Sequence, residues 1–184
     1  MKCAAFRAVL GATIAFVTVE GCHGRHRTEA DDAPIVQAAA SDTVRGIVSV
    51  VGSEPMTEVV LTPIGGGAPL AVSGAQKTLL RGLGGIEVMV RGRRTGEHSA
   101  TATPRAVAVF DVDSFVVRAV DGVAATDGIV AEAAGRFYLV VRDGTRLSAD
   151  HLPAVLQRKV GARVFVAGLL AREAASYGVI TERP

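Results

Sequence analysis

The chain has 184 residues, of which 49% are hydrophobic, 4% are aromatic and none is tryptophan, and its formal net charge at pH 7 is +2. This composition supports a folded core of Val, Leu, Ile and Ala, excludes general disorder, and favours strands because β-branched side chains suit a pleated surface. The near-neutral charge lacks the concentrated basic surface of nucleic-acid-binding proteins, so we expect no nucleic-acid partner.

The first 21 residues have the pattern of an export signal. Lys2 and Arg7 form a short positive segment, and an uninterrupted apolar run follows over residues 8–19. The run has about the length of a signal-peptide apolar region and is short for a membrane span. We therefore predict a signal helix over residues 1–21, with a buried helix of the mature domain as the alternative.

A cysteine motif follows the apolar run directly, as Val19-Glu20-Gly21-Cys22. It resembles the lipobox of bacterial lipoproteins, in which an aliphatic residue and two small residues precede a cysteine that directs lipidation and cleavage. The resemblance implies cleavage between Gly21 and Cys22, fatty acylation (palmitate) at Cys22, and a membrane-anchored envelope protein that faces the periplasm or the exterior. Glu20 departs from the pattern, since that position is normally small and uncharged. Ordinary signal cleavage, which gives a soluble secreted or periplasmic protein, is the alternative.

Residues 22–43 are mostly polar and rich in alanine, and they predict a flexible, lipid-anchored linker. His23 and His26 could offer two imidazoles to a metal, but a flexible linker supplies neither a third ligand nor hydrogen bonds to hold the rings. Cys3 lies in the segment predicted to be removed, which leaves Cys22 as a single cysteine. We therefore expect no metal and no cofactor.

From residue 44 onward the sequence repeats one order of elements. Each half opens on a Gly-Ile-Val strand, at residues 46–48 and 128–130. A second strand, a glycine turn and a short third strand follow in each half, and Asp143-Gly144 is a strong hairpin signal. The second strands are Glu58 to Thr62 and Arg136 to Val141, and the third strands lie near residues 70–72 and 146–148.

A helix and a glycine-framed strand come next in each half. Apolar residues recur at helical spacing in both halves: Leu79, Leu80 and Leu83 in the first, and Leu152, Val155, Leu156 and Val160 in the second. In the second helix we predict Asp150 as the N-cap and Pro153 in the first turn. The framed strands lie between Gly85 and Gly92 and between Gly161 and Gly168. We expect Val88, Val90, Val164 and Val166 to face the core, with Glu87, Arg91, Arg163 and Ala167 on the opposite face.

The closing strands fall within residues 106–120 and near residues 177–181, and the first is long enough to bend and serve as two strands. This element order resembles that of the OB-fold, a small five-stranded Greek-key barrel found in bacterial envelope proteins. The resemblance implies a mainly β chain with two tandem OB-like barrels, over residues 44–122 and 123–184, each with one short helix. A continuous β-sandwich or a larger barrel is the alternative.

One polar group within the last strand of the first half has the residue types of an active site. Asp111 and Asp113 are two carboxylates on one side of the strand, Ser114 is adjacent, and His98 is in the preceding loop. Paired carboxylates can act as acid and base when burial separates their pKa values. We favour the interpretation in which both face water, since no G-x-S-x-G nucleophile turn is present.

Two other groups are candidates for a ligand or partner surface. Arg91, Arg93 and Arg94 form the densest basic cluster, at a strand end that runs into a predicted loop over residues 95–103. Phe137 and Tyr138 are adjacent, so only one of them can face a given side of a strand. With no aromatic at the matching positions of the first half, base stacking is disfavoured.

The sequence therefore predicts a non-catalytic, exported envelope lipoprotein whose OB-like units bind an envelope partner or a small ligand. The alternatives are a structural spacer or assembly factor without a ligand, and an enzyme that uses Asp111 and Asp113.

Overall fold

The computed structural model describes residues 41–99 and 106–182. The predicted signal peptide, Cys22, His23, His26 and residues 22–40 of the predicted linker lie outside these ranges. Within them the chain is mainly β, with ten strands and two short helices in the order that the repeat predicts. No helix among the described residues has both the length and the apolar character needed to cross a membrane.

The two halves have the same succession of elements. The first half contains β1 (Asp42–Val51), β2 (Glu58–Pro63), β3 (Leu70–Ser73), α1 (Lys77–Arg81), β4 (Glu87–Ser99) and β5 (Ala106–Val120). The second half contains β6 (Val123–Ala133), β7 (Arg136–Val140), β8 (Arg146–Ser148), α2 (Ala154–Gln157), β9 (Arg163–Ala167) and β10 (Ser176–Thr181). β1 begins at Asp42, so the last two residues of the predicted linker belong to this strand.

The strand pairings close into a ring in the first half and stay open in the second. β1 pairs with β2 and β4, β2 with β3, β3 in parallel with β5, and β5 with β4. In the second half β6 pairs with β7 and β9, β7 with β8, and β9 with β10. Among the described residues no pairing joins β8 to β10, the counterparts of β3 and β5.

β5 is the strand that connects the two halves. It is one continuous strand of 15 residues, not the two strands that its length allowed. One edge pairs with β4 along almost the whole strand, while the other edge pairs with β3 as far as Asp111 and with β6 from Ala119. The turn between β5 and β6 is formed by Asp121 and Gly122, whose φ angles of 48° and 78° are both positive. The predicted domain boundary at residue 122 falls in this turn.

Two hydrophobic clusters form the interior. The cluster of the first half includes Val48, Leu61, Leu80, Val88, Val90, Phe110 and Val117, and that of the second includes Val130, Leu139, Leu156, Val164 and Val166. The inward positions predicted for β4 and β9 are therefore confirmed. Phe165 of β9 points away from the second cluster and packs in the first, so the opposite face of β9 is also covered.

Three details of the sequence interpretation are wrong. β4 continues to Ser99, so residues 95–99 form strand where a loop was predicted, because their register with β5 continues through β-bulges. α2 has only four residues and cannot present an apolar face two turns long: Leu152 and Leu156 are buried, whereas Val155 and Val160 are 46% and 52% exposed. Pro153 occupies the N-cap position in place of Asp150, whose carboxylate instead accepts a hydrogen bond from the Ser148 hydroxyl.

Gly92→Ala tests the close approach of β4 to β5. A Cβ at this position would overlap the carbonyl oxygen of Asp111, a backbone atom that cannot move without disturbing the strand. We expect a loss of roughly 1–3 kcal/mol in the free energy of unfolding, measured by thermal or urea denaturation. Gly84→Ala is the matched control, because a Cβ there has no neighbour within 4 Å. Equal stability of the two variants would contradict the described β4–β5 register.

Candidate functional site

A cleft opens where β5 and β6 separate. The two strands pair only at Ala119–Ala124 and Val120–Val123, next to their shared turn. Beyond these pairs they diverge around a space of about 940 Å³. Its walls come from residues 114–118 of β5, residues 125–129 of β6, the β7–β8 turn and Arg163 of β9. The volume is at the upper end of the range typical of small-ligand sites.

A buried ion pair forms the floor of this cleft. The Asp127 side chain is 4% exposed and that of Arg163 is 21% exposed. Asp127 Oδ1 accepts from Arg163 Nε at 2.9 Å, and Oδ2 accepts from Arg163 Nη2 at 2.7 Å, so the contact is bidentate. Such paired N–H···O bonds fix both planar groups in orientation as well as in distance.

Both members of the pair also bind the backbone of β5. The N–H of Val117 donates to Asp127 Oδ2 at 2.9 Å, and Arg163 Nη2 donates to the carbonyl oxygen of Phe115 at 2.7 Å. The guanidinium carbon of Arg163 also lies 4.5 Å from the centroid of the Phe115 ring, in a cation–π contact. Three interactions therefore join β6 and β9 of the second half to two residues of β5.

These side chains take the place of a neighbouring strand. The pairing of β5 with β3 ends at Asp111, and its pairing with β6 begins at Ala119. Between these two residues β5 pairs only with β4 among the described residues. A strand in that position would accept from one N–H of β5 and donate to a carbonyl two residues away. Asp127 and Arg163 supply this acceptor and donor to Val117 and Phe115. Two backbone groups on this edge of β5 are thereby satisfied without a strand that would fill the cleft.

Local backbone features position the pair. Asp127 precedes Gly128, where a Cβ would lie 2.9 Å from the Val140 carbonyl oxygen, so the glycine allows β6 to approach β7 closely. In the β6–β9 ladder Arg163 is opposite Ile129, which places its side chain diagonally across from Asp127 on the same face. Neighbouring strands thus bring together two residues that are 36 positions apart.

The first half has a charge-reversed counterpart of this pair. Gly46 is opposite Val88 in the β1–β4 ladder, as Gly128 is opposite Val164 in the β6–β9 ladder. Arg45 therefore occupies the position of Asp127, and Glu87 occupies that of Arg163. Arg45 Nε donates to Glu87 Oε1 at 2.5 Å. The side chains of this pair are 57% and 16% exposed, against 21% and 4% for Arg163 and Asp127. The second pair is the more deeply buried of the two, and β5 contacts it through Val117 and Phe115.

The rest of the cleft carries exposed charge. Arg142, next to the β7–β8 turn, reaches across to β5 and donates to the Ser114 hydroxyl at 2.9 Å. Arg118 of β5 also lines the cleft. Hydrogen bonds from the Thr145 N–H and hydroxyl hold the pKa of the Asp143 carboxyl below its ordinary value. Asp143 is therefore ionised at neutral pH.

The candidate acid–base residues are dispersed. Asp111 is half-buried and Asp113 is exposed, and both lie outside the core on β5. Ser114 alone reaches the cleft. His98 belongs to β4 and pairs with Val107, seven residues along β5 from Ser114, which is ~23 Å at ~3.3 Å per residue. A Ser-His-Asp arrangement from these residues is inconsistent with that register.

The predicted partner surface is also divided, and none of its five residues lines the cleft. Arg91, Arg93 and Arg94 lie within β4 and not at its end, because the strand continues to Ser99. Arg91 donates to the Ser41 hydroxyl at 2.7 Å, and Arg94 lies 3.6 Å from an Asp42 carboxylate oxygen. Phe137 packs against the second hydrophobic cluster, so Tyr138 is on the other face of β7.

Sequence interpretation missed the residues that build the cleft: Arg118, Asp127, Arg142 and Arg163. The signal that was available is the repeat itself, because two oppositely charged residues at matching positions in both halves indicate a cross-strand pair. Among residues 41–99 and 106–182, no group of three or more His, Cys, Asp or Glu side chains could hold a metal ion.

Arg163→Ala tests the role of the buried pair, and Arg45→Ala in the first half is its matched control. Removal of Arg163 leaves Asp127 buried without its charge partner and the Phe115 carbonyl without a donor, so we expect a loss of about 3–5 kcal/mol in unfolding free energy. Removal of Arg45 breaks a pair whose cation is exposed and should cost about 0–1 kcal/mol. Urea denaturation of both variants measures the difference, and equal costs would show that burial does not distinguish the pairs.

Comparison of the chain with known protein families, curated proteins and solved structures gives no match. A function for the cleft must therefore be inferred from its own residues.

Proposed function

We propose that this chain is a non-catalytic binding protein of the cell envelope, built from two OB-like units and anchored through Cys22. The observation that carries the proposal is the cleft of about 940 Å³ between β5 and β6, whose floor is closed by hydrogen bonds that are complete without a ligand. A preformed cleft of this kind binds a ligand with little reorganisation of its walls.

The charged groups of the cleft favour binding over proton transfer. Arginine keeps its proton at any physiological pH, so Arg118, Arg142 and Arg163 are poor acids and bases. Both oxygens of Asp127 are occupied by donors. Asp143 is fully exposed with a lowered pKa, and a general acid or base near neutral pH needs the opposite shift.

The pairings of the first half support the OB-like assignment. β1 to β5 close into a ring, β3 and β5 are parallel, and α1 lies between β3 and β4 in the chain. A five-stranded Greek-key barrel of the OB type has this combination. The second half repeats the element order with equivalent backbone bonds: Val48 N–H to Ile86 and Val130 N–H to Ala162, each 3.0 Å long.

The anchor is supported by the sequence of residues 1–22. Permanent attachment to a membrane surface would hold a binding protein in the envelope, since each buried acyl methylene contributes ~0.8 kcal/mol. Cys22→Ser should move the protein from the detergent phase to the aqueous phase in detergent partitioning and abolish incorporation of labelled palmitate. Cys3→Ser, in the segment predicted to be removed, should change neither. Retention of the Cys22→Ser protein in the detergent phase would contradict lipid anchoring.

Photo-crosslinking in living cells tests whether the cleft is the binding site. A photoreactive amino acid at Val116, which is half-buried in the cleft wall, should give an adduct of defined mass. The same amino acid at Val50, which is 42% exposed on β1 outside the cleft, is the control and should give none. The proposal fails if Val116 gives no adduct or if both positions give the same products.

A further inference from the structure

Five charged side chains line the cleft, and three of them are not committed to its floor. Asp127 and Arg163 neutralise each other through two hydrogen bonds. Arg118, Arg142 and Asp143 remain to face a ligand. Among the described residues Arg118 has no hydrogen-bond or ion-pair partner, and the partner of Arg142 is an uncharged hydroxyl.

The two arginines favour an anionic ligand. Arg142 already extends across the cleft, from the β7 side to Ser114 on β5. A carboxylate that replaced the Ser114 hydroxyl would add the attraction of opposite charges and could accept two parallel N–H···O bonds from the guanidinium, which a neutral hydroxyl cannot. Arg118 lies on the same strand as Ser114, four residues further along, so both cations are accessible from one cleft.

The remaining lining favours a peptide over a phosphate group. Asp143 presents a charged carboxylate beside Arg142, which repels a dianionic phosphate more strongly than a single carboxylate and accepts hydrogen bonds from peptide N–H groups. Gln76, Ser114 and Thr126 offer both donors and acceptors, and Val116, Ile129 and Val141 provide half-buried apolar surface. An acidic peptide has the matching groups: carboxylates, N–H donors, carbonyl acceptors and apolar side chains.

We infer that the cleft binds a short acidic peptide whose carboxylates contact Arg118 and Arg142 and whose apolar side chains pack against Val116 and Ile129. This inference rests on the proposed function, because it names the ligand class for the same cleft. Neither arginine belongs to the floor, so each can be changed without breaking the contacts that hold β6 and β9 to β5.

Fluorescence anisotropy with a labelled hexapeptide, Val-Glu-Val-Glu-Val-Glu, tests the inference on the full-length chain in a non-ionic detergent. We expect saturable binding that weakens as salt is added, and a loss of roughly tenfold in affinity in Arg118→Ala and in Arg142→Ala. Arg146→Ala is the matched control, because Arg146 is an exposed arginine on β8 outside the cleft. Its affinity should be unchanged, and circular dichroism should show the same fold in all three variants.

Three results would overturn the peptide assignment. These are equal binding of the glutamine peptide Val-Gln-Val-Gln-Val-Gln, unchanged affinity in both cleft variants, and displacement of the peptide by low concentrations of inorganic phosphate. If a site-specific adduct at Val116 still forms in any of these cases, the cleft remains a binding site for a ligand of another class. If neither the adduct nor any peptide binding is seen, the proposed function fails as well.

Discussion

The bidentate contact between Asp127 and Arg163 is the constraint on which the arrangement of the two halves depends. β5 must change partners, from β3 to β6, and between the two its edge would expose unpaired backbone groups. Most proteins cover such an edge with another strand or a loop. Here one acceptor and one donor from side chains satisfy Val117 and Phe115, and the space beside the strand stays open. The cleft therefore exists because side chains replace a strand.

The repeat shows how the same pair of positions can have two different roles. In the first half the Arg45 side chain is 57% exposed, so solvent screens its attraction to Glu87 and the pair contributes little. In the second half the charges are exchanged and β5 covers them, so each group must be fully hydrogen-bonded to offset its desolvation. The carboxylate on β6 can accept from a β5 N–H, and the guanidinium on β9 is long enough to reach both Asp127 and the Phe115 carbonyl. With the first-half arrangement of charges, a carboxylate on β9 could not donate to that carbonyl.

Much of the strand content could be predicted from sequence, because alternation of buried and exposed residues and the glycine turns are local signals. The third strand of the second half, predicted near residues 146–148, is Arg146–Ser148, and a helix occurs in each half close to the leucines that indicated it. The register of β4 beyond Arg94 could not be predicted, since β-bulges interrupt the alternation that marks a strand. The role of Arg163 was missed for a different reason. Its face of β9 was expected to lie opposite the core, and only the packing of the first half against β9 reveals that this face is covered as well.

The two halves differ in strand length as well as in closure. β4 and β5 have 13 and 15 residues, which lets β5 extend past the β4–β1 ladder and pair with β3. Their counterparts β9 and β10 have five and six residues, and among the described residues β10 does not pair with β8. Leu170 and Ala174, in the segment between these two strands, cover the second cluster where a longer hairpin would have stood. An open half has a smaller enclosed core, and Phe165 is buried against the first half instead. Phe165 and Arg163 both belong to β9, two residues apart. The hydrophobic contact of the first and the ion pair of the second together join the open half to the closed one.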